Sequence, residues 1–340
     1  MALTGRANYW NTPNYDGMLW TADAEPGRGT GTPFLTFMGG LNGPNARIVP
    51  DFDYAMSAEY DYNAPAQPSI AENTAADGPP AAQAPQLVQA RNTVQIYQEA
   101  VNVTWKKLST YSRLATDIIE SSLPGPQDRG FWAPDGSNNQ EALLAQHKAY
   151  VLKKMARDAN FTLLQGTFNA SDGPADAAQT GGVVSGISTS EVDAGGVALN
   201  RDVLQELYRE VAENSSGQAF FNVPVIFAPA VQRQQISDLY GGNQPRSWEI
   251  GGWKIDTIIT DFGEVGVVYE PMMPANTIAL IALGACRPVF NIVDDGEGNV
   301  GRLIYTPLAK VGAAQRGMFT MHLGLDYGNE QLHGSIINLV

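Results

Sequence analysis

Between Asn139 and Gln165 the chain reads NQEALLAQHKAYVLKKMARDANFTLLQ, and the reading of this stretch governs the rest. Leu144, Val151, Met155 and Thr162 fall near one stripe, flanked by Leu143, His147, Tyr150 and Leu164. That is the three-and-four spacing of an amphipathic helix. Asn138 or Asn139 can cap it, and Gly166 can end it. At about 1.5 Å per residue it spans about 40 Å, where an average helix has about 11 residues. Its polar face carries Lys148, Lys153, Lys154 and Arg157 against Glu141 and Asp158. The helix is therefore net basic in a chain whose formal net charge is -14. Such a face suits an acidic partner, and it equally suits an ordinary solvated helix.

Upstream, residues 46 to 110 read as a long excursion. Arg47-Ile48-Val49 begins a strand, and Phe52, Tyr54 and Met56 alternate with polar neighbours. The return leg from Asn92 to Trp105 alternates again, through Val94, Ile96, Val101 and Val103. Between Ile48 and Ala90 there is no Lys or Arg, while Asp51, Asp53, Glu59, Asp61, Glu72 and Asp77 are all acidic. A segment of one sign repels itself and favours an oppositely charged surface. The basic helix of a neighbouring copy is the expected partner, with a solvated acidic loop as the alternative. Residues 1 to 45 read as an extended arm rich in Gly, Pro, Asn and Thr. Its rings, Tyr9, Trp10, Tyr15, Trp20, Phe34 and Phe37, show no helical period. Disordered tails carry few aromatics, so the arm is expected to pack on another part of an assembly.

Downstream of a Gly/Ser/Ala linker, Gly173 to Gly196, the pattern becomes mixed α+β. Asn200 caps a helix to about Glu213, with Val203, Leu204, Leu207, Tyr208 and Val211 as its apolar face. Val223 to Phe227 reads as a short buried strand, and Pro229 to Leu239 as a helix stopped by Gly241-Gly242. Strands follow at Trp253 to Thr260, Val265 to Tyr269, Ala275 to Ala282 and Arg287 to Val293. Asp294 to Asn299 is a turn between strands. Phe319, Met321, Leu323, Leu325 and Tyr327 alternate at period two, giving a strand with one buried face.

Composition excludes several functions. Cys286 is the single cysteine, so no disulfide forms within the chain. His147, His322 and His333 are the only histidines and none sits in a zinc spacing. Gly27 to Thr32 lacks the Lys of a phosphate loop, and the Asp294 turn lacks the spacing of a calcium loop. No cofactor, metal or catalytic residue is expected. The first thirty residues show no secretion signal, and no apolar run reaches membrane-spanning length. Charged residues make up 16% of the chain, against about 25% in an ordinary soluble domain. Interface cores are depleted in charge, so much of this surface is expected to be hidden by neighbours. Composition alone equally fits a β-rich extracellular protein with a polar, uncharged surface.

Thr260-Asp261-Phe262-Gly263-Glu264-Val265 with Val267-Val268-Tyr269, then Pro271-Met272-Met273-Pro274, resembles a stretch of tailed-bacteriophage major capsid proteins. So does Pro307-Leu308-Ala309-Lys310-Val311-Gly312, followed by the alternating strand and Asn329-Glu330-Gln331-Leu332-His333. The order of elements from about residue 85 to 340 is similar to that of the Hong Kong 97-type shell proteins. The resemblance implies an N-terminal arm (1–45), an extended loop (46–110), a peripheral domain with a long spine helix (111–197), an axial domain (198–300) and a C-terminal part of the peripheral domain (301–340). It implies a self-assembling icosahedral shell of pentamers and hexamers in the virion, made in the host cytoplasm. Packaged DNA would be enclosed without specific binding, and no membrane would be involved. Separate scaffolding, portal and decoration proteins are the implied partners. The pattern departs at His322, where relatives often carry Glu, and in lacking a charged helical scaffold segment at the N-terminus. Two rivals remain. One is an encapsulin-like nanocompartment shell. The other is an acidic β-rich hydrolase using carboxylate pairs such as Asp51/Asp53 or Glu59/Asp61.

Overall fold

The computed structural model describes residues 32–38, 46–56, 59–61, 67, 86–88, 90–104, 139–240, 246–250, 253–296, 298, 300–309 and 312–340. The sequence expectations for the rest of the arm, for Glu72 and Asp77, and for Gly241-Gly242 lie outside the described residues.

Two sheets and one long helix organise the chain. The first sheet joins β1 (Arg47–Ile48), β6 (Gln95–Thr104), β13 (Arg287–Asn291), β16 (Leu303–Pro307) and β17 (Ala314–Asp326). β17 is its axis: β6 runs antiparallel along one side, and β13 and β16 share the other. β1 is added parallel to β13. The second sheet has the order β7-β18-β12-β8-β11-β10-β9. Its strands are β7 (Glu191–Asp193), β8 (Pro224–Ala228), β9 (Arg246–Ile250), β10 (Trp253–Thr260), β11 (Gly263–Tyr269), β12 (Ile278–Ala282) and β18 (Gly334–Ile337).

The central strands β8 and β12 are buried along their whole length, as a continuous apolar run requires when both faces of a sheet are covered. Their side chains alternate between two cores. Val225, Phe227, Ala279 and Ile281 point into a core shared with the long helix and the first sheet. Ile226, Ala228, Ile278 and Leu280 point into a second core with Leu204, Leu207, Tyr208 and Val211 of the helix Arg201–Asn214. Asn200 caps that helix as its position predicts, accepting the Val203 N–H at 2.9 Å. Each fully buried Leu, Ile or Phe in these cores contributes about 1.5–3 kcal/mol.

The long helix runs from Asn139 to Gln165 as expected, but its buried face is rotated. Leu152, Met155, Ala156, Ala159, Asn160, Leu163 and Leu164 are buried. Tyr150 is exposed, and Val151 and Thr162 are only half-buried. The reason is tertiary. Asn160 turns inward because distant groups bond it: it accepts the Leu35 N–H at 2.8 Å and donates to Glu270 at 3.2 Å. This contact also corrects the reading of the arm. Pro33–Phe37 forms a short helix docked in its own chain, with Phe34 fully buried and edge-on to Phe227 at 5.4 Å.

Several strands depart from the sequence-derived partition. Arg47–Ile48 and Gln95–Thr104, read as legs of the extended loop, are strands of the first sheet. β13 belongs to the same sheet although it falls within 198–300. β7 and β18 lie in the second sheet although they fall outside that range. Strand pairing, invisible to a linear partition, sets these memberships. β17 also has more than one buried face. Beyond Leu323, Gly324, Leu325 and Asp326 are all buried, because the base of the loop packs over them. β14 (Val293–Asp294) pairs antiparallel with β15 (Val300–Gly301), so the chain reverses direction between the two strands.

Candidate assembly surfaces

What leaves the body of the fold is a two-stranded ribbon. β2 (Asp53–Ala55) pairs antiparallel with β5 (Arg91–Thr93), and farther out β3 (Glu59–Asp61) pairs with β4 (Gln86–Val88). Tyr54 pairs with Asn92 and Tyr60 with Leu87, an advance of six residues against five, so both rungs run in the antiparallel sense of one ribbon with the register shifted by one between them. Isolated hairpins are marginal in water, so the direction of this one depends on its base.

The base is a buried polar joint. Tyr54 Oη donates to the Leu325 carbonyl at 2.8 Å, and Asn92 Nδ2 donates to the same carbonyl at 2.8 Å and to that of Gly181 at 3.0 Å. Asn92 Oδ1 in turn accepts the Gly181 N–H at 2.9 Å. Arg47 Nη1 donates to the Ala55 carbonyl and lies 3.3 Å from the buried Asp326 carboxylate. Burial pushes the Tyr54 phenol well up, so it stays protonated as the donor this joint requires. Gly324 is glycine for a reason of space: a Cβ there would lie 2.7 Å from Tyr54 Oη.

The structure separates the acidic and basic candidates. Asp51 and Asp53 are exposed at the base of the ribbon, and Glu59 and Asp61 lie on β3. On the long helix, Lys148 Nζ sits 3.6 Å above the Tyr305 ring, where burial pushes its pKa down. Lys154 is ion-paired within its own chain to Glu99 of β6, and lies 3.9 Å from Asp158. Bonding to Glu99 pushes its pKa up. Among the described residues, neither Lys153 nor Arg157 joins an ion pair. Beside them Tyr150 and Phe161 are each about half exposed. With Ile96, Met155 and Asp158, Phe161 borders a groove of about 360 Å³ between helix and β6.

The histidines are placed as packing residues. His147 is half-buried. His322 tilts against Phe52 at 5.1 Å with Nδ1 3.4 Å from Asn291 Oδ1, and the ion pair at that strand is instead Arg47 with Asp326. His333 is buried between the sheets: Nδ1 accepts the Ala282 N–H at 3.1 Å, and Nε2 meets the Tyr327 carbonyl at 2.8 Å. Sequence reading missed this staple, as it missed Glu270 and Asn160, because no local spacing marks a side chain bonded to a distant backbone. Among the described residues, no group of three His, Cys, Asp or Glu could hold a metal ion, and no helix is long and apolar enough to cross a membrane.

An extended ribbon on a rigid joint, a long helix and a two-sheet body form a subunit built to reach its neighbours. A family model for SU10 major capsid proteins matches residues 4–340. The chain belongs to that family. It is a major capsid protein, a structural subunit of a bacteriophage capsid, and its fold is of the Hong Kong 97 type. The capsid of a native GTA particle is similar over 100% of this chain and 99% of its own, with TM-score 0.51 at 12% identity. The cyanophage A-1(L) capsid is similar over 91% and 93%, with TM-score 0.51 at 11% identity. The SrpI encapsulin from Synechococcus elongatus is similar over 86% and 85%, with TM-score 0.50 at 12% identity. At these identities the three establish the fold alone. No curated protein sequence matches the chain. Capsid subunits of this family self-associate, which agrees with the low charge of this capsid protein's sequence.

Proposed function

We propose that this capsid protein closes into pentamers and hexamers that form the shell around packaged phage DNA. The observation that carries the reading is the family match over nearly the whole chain. The net charge of -14 supports a lining that holds DNA without gripping it, since like charges repel. In this reading the chain is made in the host cytoplasm, and separate scaffolding, portal and decoration proteins complete the particle. The ribbon acts as the extended loop, the first sheet and long helix as the peripheral domain, and the second sheet with its two helices as the axial domain. Particles released by the phage-producing host and treated with nuclease should contain protected DNA, with this chain of 36.5 kDa as the main protein. Particles holding an enzyme cargo and no DNA would contradict the reading.

Within that shell, Lys153 and Arg157 face the acidic segment of a neighbouring copy, Asp51, Asp53, Glu59, Asp61, Glu72 and Asp77. Lys154 and Lys148 support the same face from within, through Glu99 and Tyr305. Exposed ion pairs are worth about 0–1 kcal/mol each, but a shell repeats them at every contact. The double substitution Lys153→Glu and Arg157→Glu is expected to abolish particles while circular dichroism stays unchanged. Particles in normal yield would refute the pairing.

The ribbon also bears on covalent locking. An isopeptide weld needs a lysine amine as nucleophile, and Ile48 to Ala90 contains no Lys. Mature particles, boiled and reduced, should run as one band at 36.5 kDa. A ladder of covalent multimers would show a linkage from elsewhere in the chain.

A further inference from the structure

The turn that enters β8 holds an apolar side chain in solvent. Phe221 is 89% exposed, the most exposed large apolar side chain among the described residues. The backbone that presents it is strained and well fastened. Val223 has φ of 53°, in a left-handed region that a β-branched residue avoids. The Leu283 N–H donates to the Val223 carbonyl at 3.2 Å, and the Gly284 N–H donates to the Asn222 carbonyl at 3.0 Å. Asn222 Nδ2 also donates to the Gln218 carbonyl at 3.0 Å. Strain held by surrounding bonds is a mark of a segment kept for function.

Other exposed apolar side chains lie on the same sheet. Phe220 packs against Phe262 at 5.7 Å between ring centroids, and Phe262, Ile259 and Val223 are each about half exposed. From Asn214 to Gln232 the chain has no charged residue. The turn itself therefore offers no charge to an oppositely charged partner, although Ile259 and Phe262 border a groove that Arg201, Asp202, Glu206, Arg209 and Asp261 also line. A chain of net charge -14 repels its own copies wherever its acidic surface meets itself. Copies can approach closely where charge is missing, and the turn from Asn214 to Gln232 is such a place.

We propose that Phe221, on the turn that Val223 closes, is an assembly knob that seats against a second copy of this chain in the shell. The inference rests on the shell reading and adds a contact that the ribbon and long helix do not supply. It fits the usual anatomy of an interface, in which one aromatic anchor dominates and neighbouring contacts exclude water.

The test uses the purified full chain. A photo-reactive benzoylphenylalanine placed at position 221 is irradiated in assembled particles and again in dispersed subunits. A cross-linked species of twice 36.5 kDa in the particles and not in the subunits is expected. In parallel, Phe221→Asp should lower particle yield by more than about tenfold with an unchanged melting curve, and Phe221→Leu should restore it. Particles that form normally without cross-linked dimers, or with products to some other protein or to lipid, overturn the knob and leave the shell reading intact. Failure of the unmodified chain to assemble at all overturns both.

Discussion

Glu270→Ala is expected to lower the stability of the unassembled subunit by on the order of 4 kcal/mol. Glu270 is fully buried where the arm helix, the long helix and the second sheet meet. Its carboxyl oxygens accept the Phe34 N–H at 3.0 Å, the Met272 N–H at 3.1 Å and the Asn160 side-chain amide at 3.2 Å. Removing the acceptor leaves two buried donors and one part-buried donor without it, each costing about 1–3 kcal/mol, only partly relieved by rearrangement. The same change frees the arm helix, because Asn160 and Glu270 are what bind the Phe34 and Leu35 N–H groups. For a chain of this size the loss corresponds to a melting midpoint lower by about 6 °C. Glu270→Gln keeps one acceptor oxygen and should lose much less. Equal midpoints for wild type and Glu270→Ala in a thermal scan would show that the joint is not a source of stability.

The second large effect is acid sensitivity through His333. Burial pushes its imidazole down from about 6.5 to about 4, with the bond to the Tyr327 carbonyl and the nearby Glu330 opposing the shift. The sign follows from linkage. Below about pH 6.5 the unfolded chain takes up a proton that the folded chain refuses, so stability present above that pH is lost as the pH falls. The loss is complete near pH 4 and amounts to about 3 kcal/mol. Its structural meaning is specific. A proton on Nδ1 would remove the acceptor for the Ala282 N–H on β12, while Nε2 serves Tyr327 just beyond β17. The two sheets are stapled there. In His333→Gln, denaturant midpoints measured from pH 7 to pH 4 should vary less with pH, by about one proton. An unchanged slope would assign the acid sensitivity to other groups.

Much of the fold was legible because its signals were local. Asn200 and the Val203 to Val211 stripe mark one helix, and period-two alternation marks β17. The TDFGEV and PMMP stretches carried the family resemblance, and the whole-chain match agrees with it. What was not legible depends on contacts distant in sequence. Asn160 looks like a surface residue until Leu35 and Glu270 are brought to it, and this is why the helix face came out rotated. Tyr150 read as flanking the apolar stripe and stands outside, with Phe161 also about half exposed. Arg47–Ile48 pairs in parallel with a strand some 240 residues away, and no turn signal announces such pairing. The cations on the helix were found by composition alone. That Lys154 is held by Glu99 of its own chain emerges only from the packing of β6.

The measurement that bears most directly on the shell account is electron microscopy of particles formed by the purified chain. The account predicts closed shells with five-fold and six-fold rings, in which the ribbon of each subunit crosses onto its neighbour. A chain that stays monomeric at high concentration in every salt tried, or particles whose ribbons fold back on their own subunits, would contradict it.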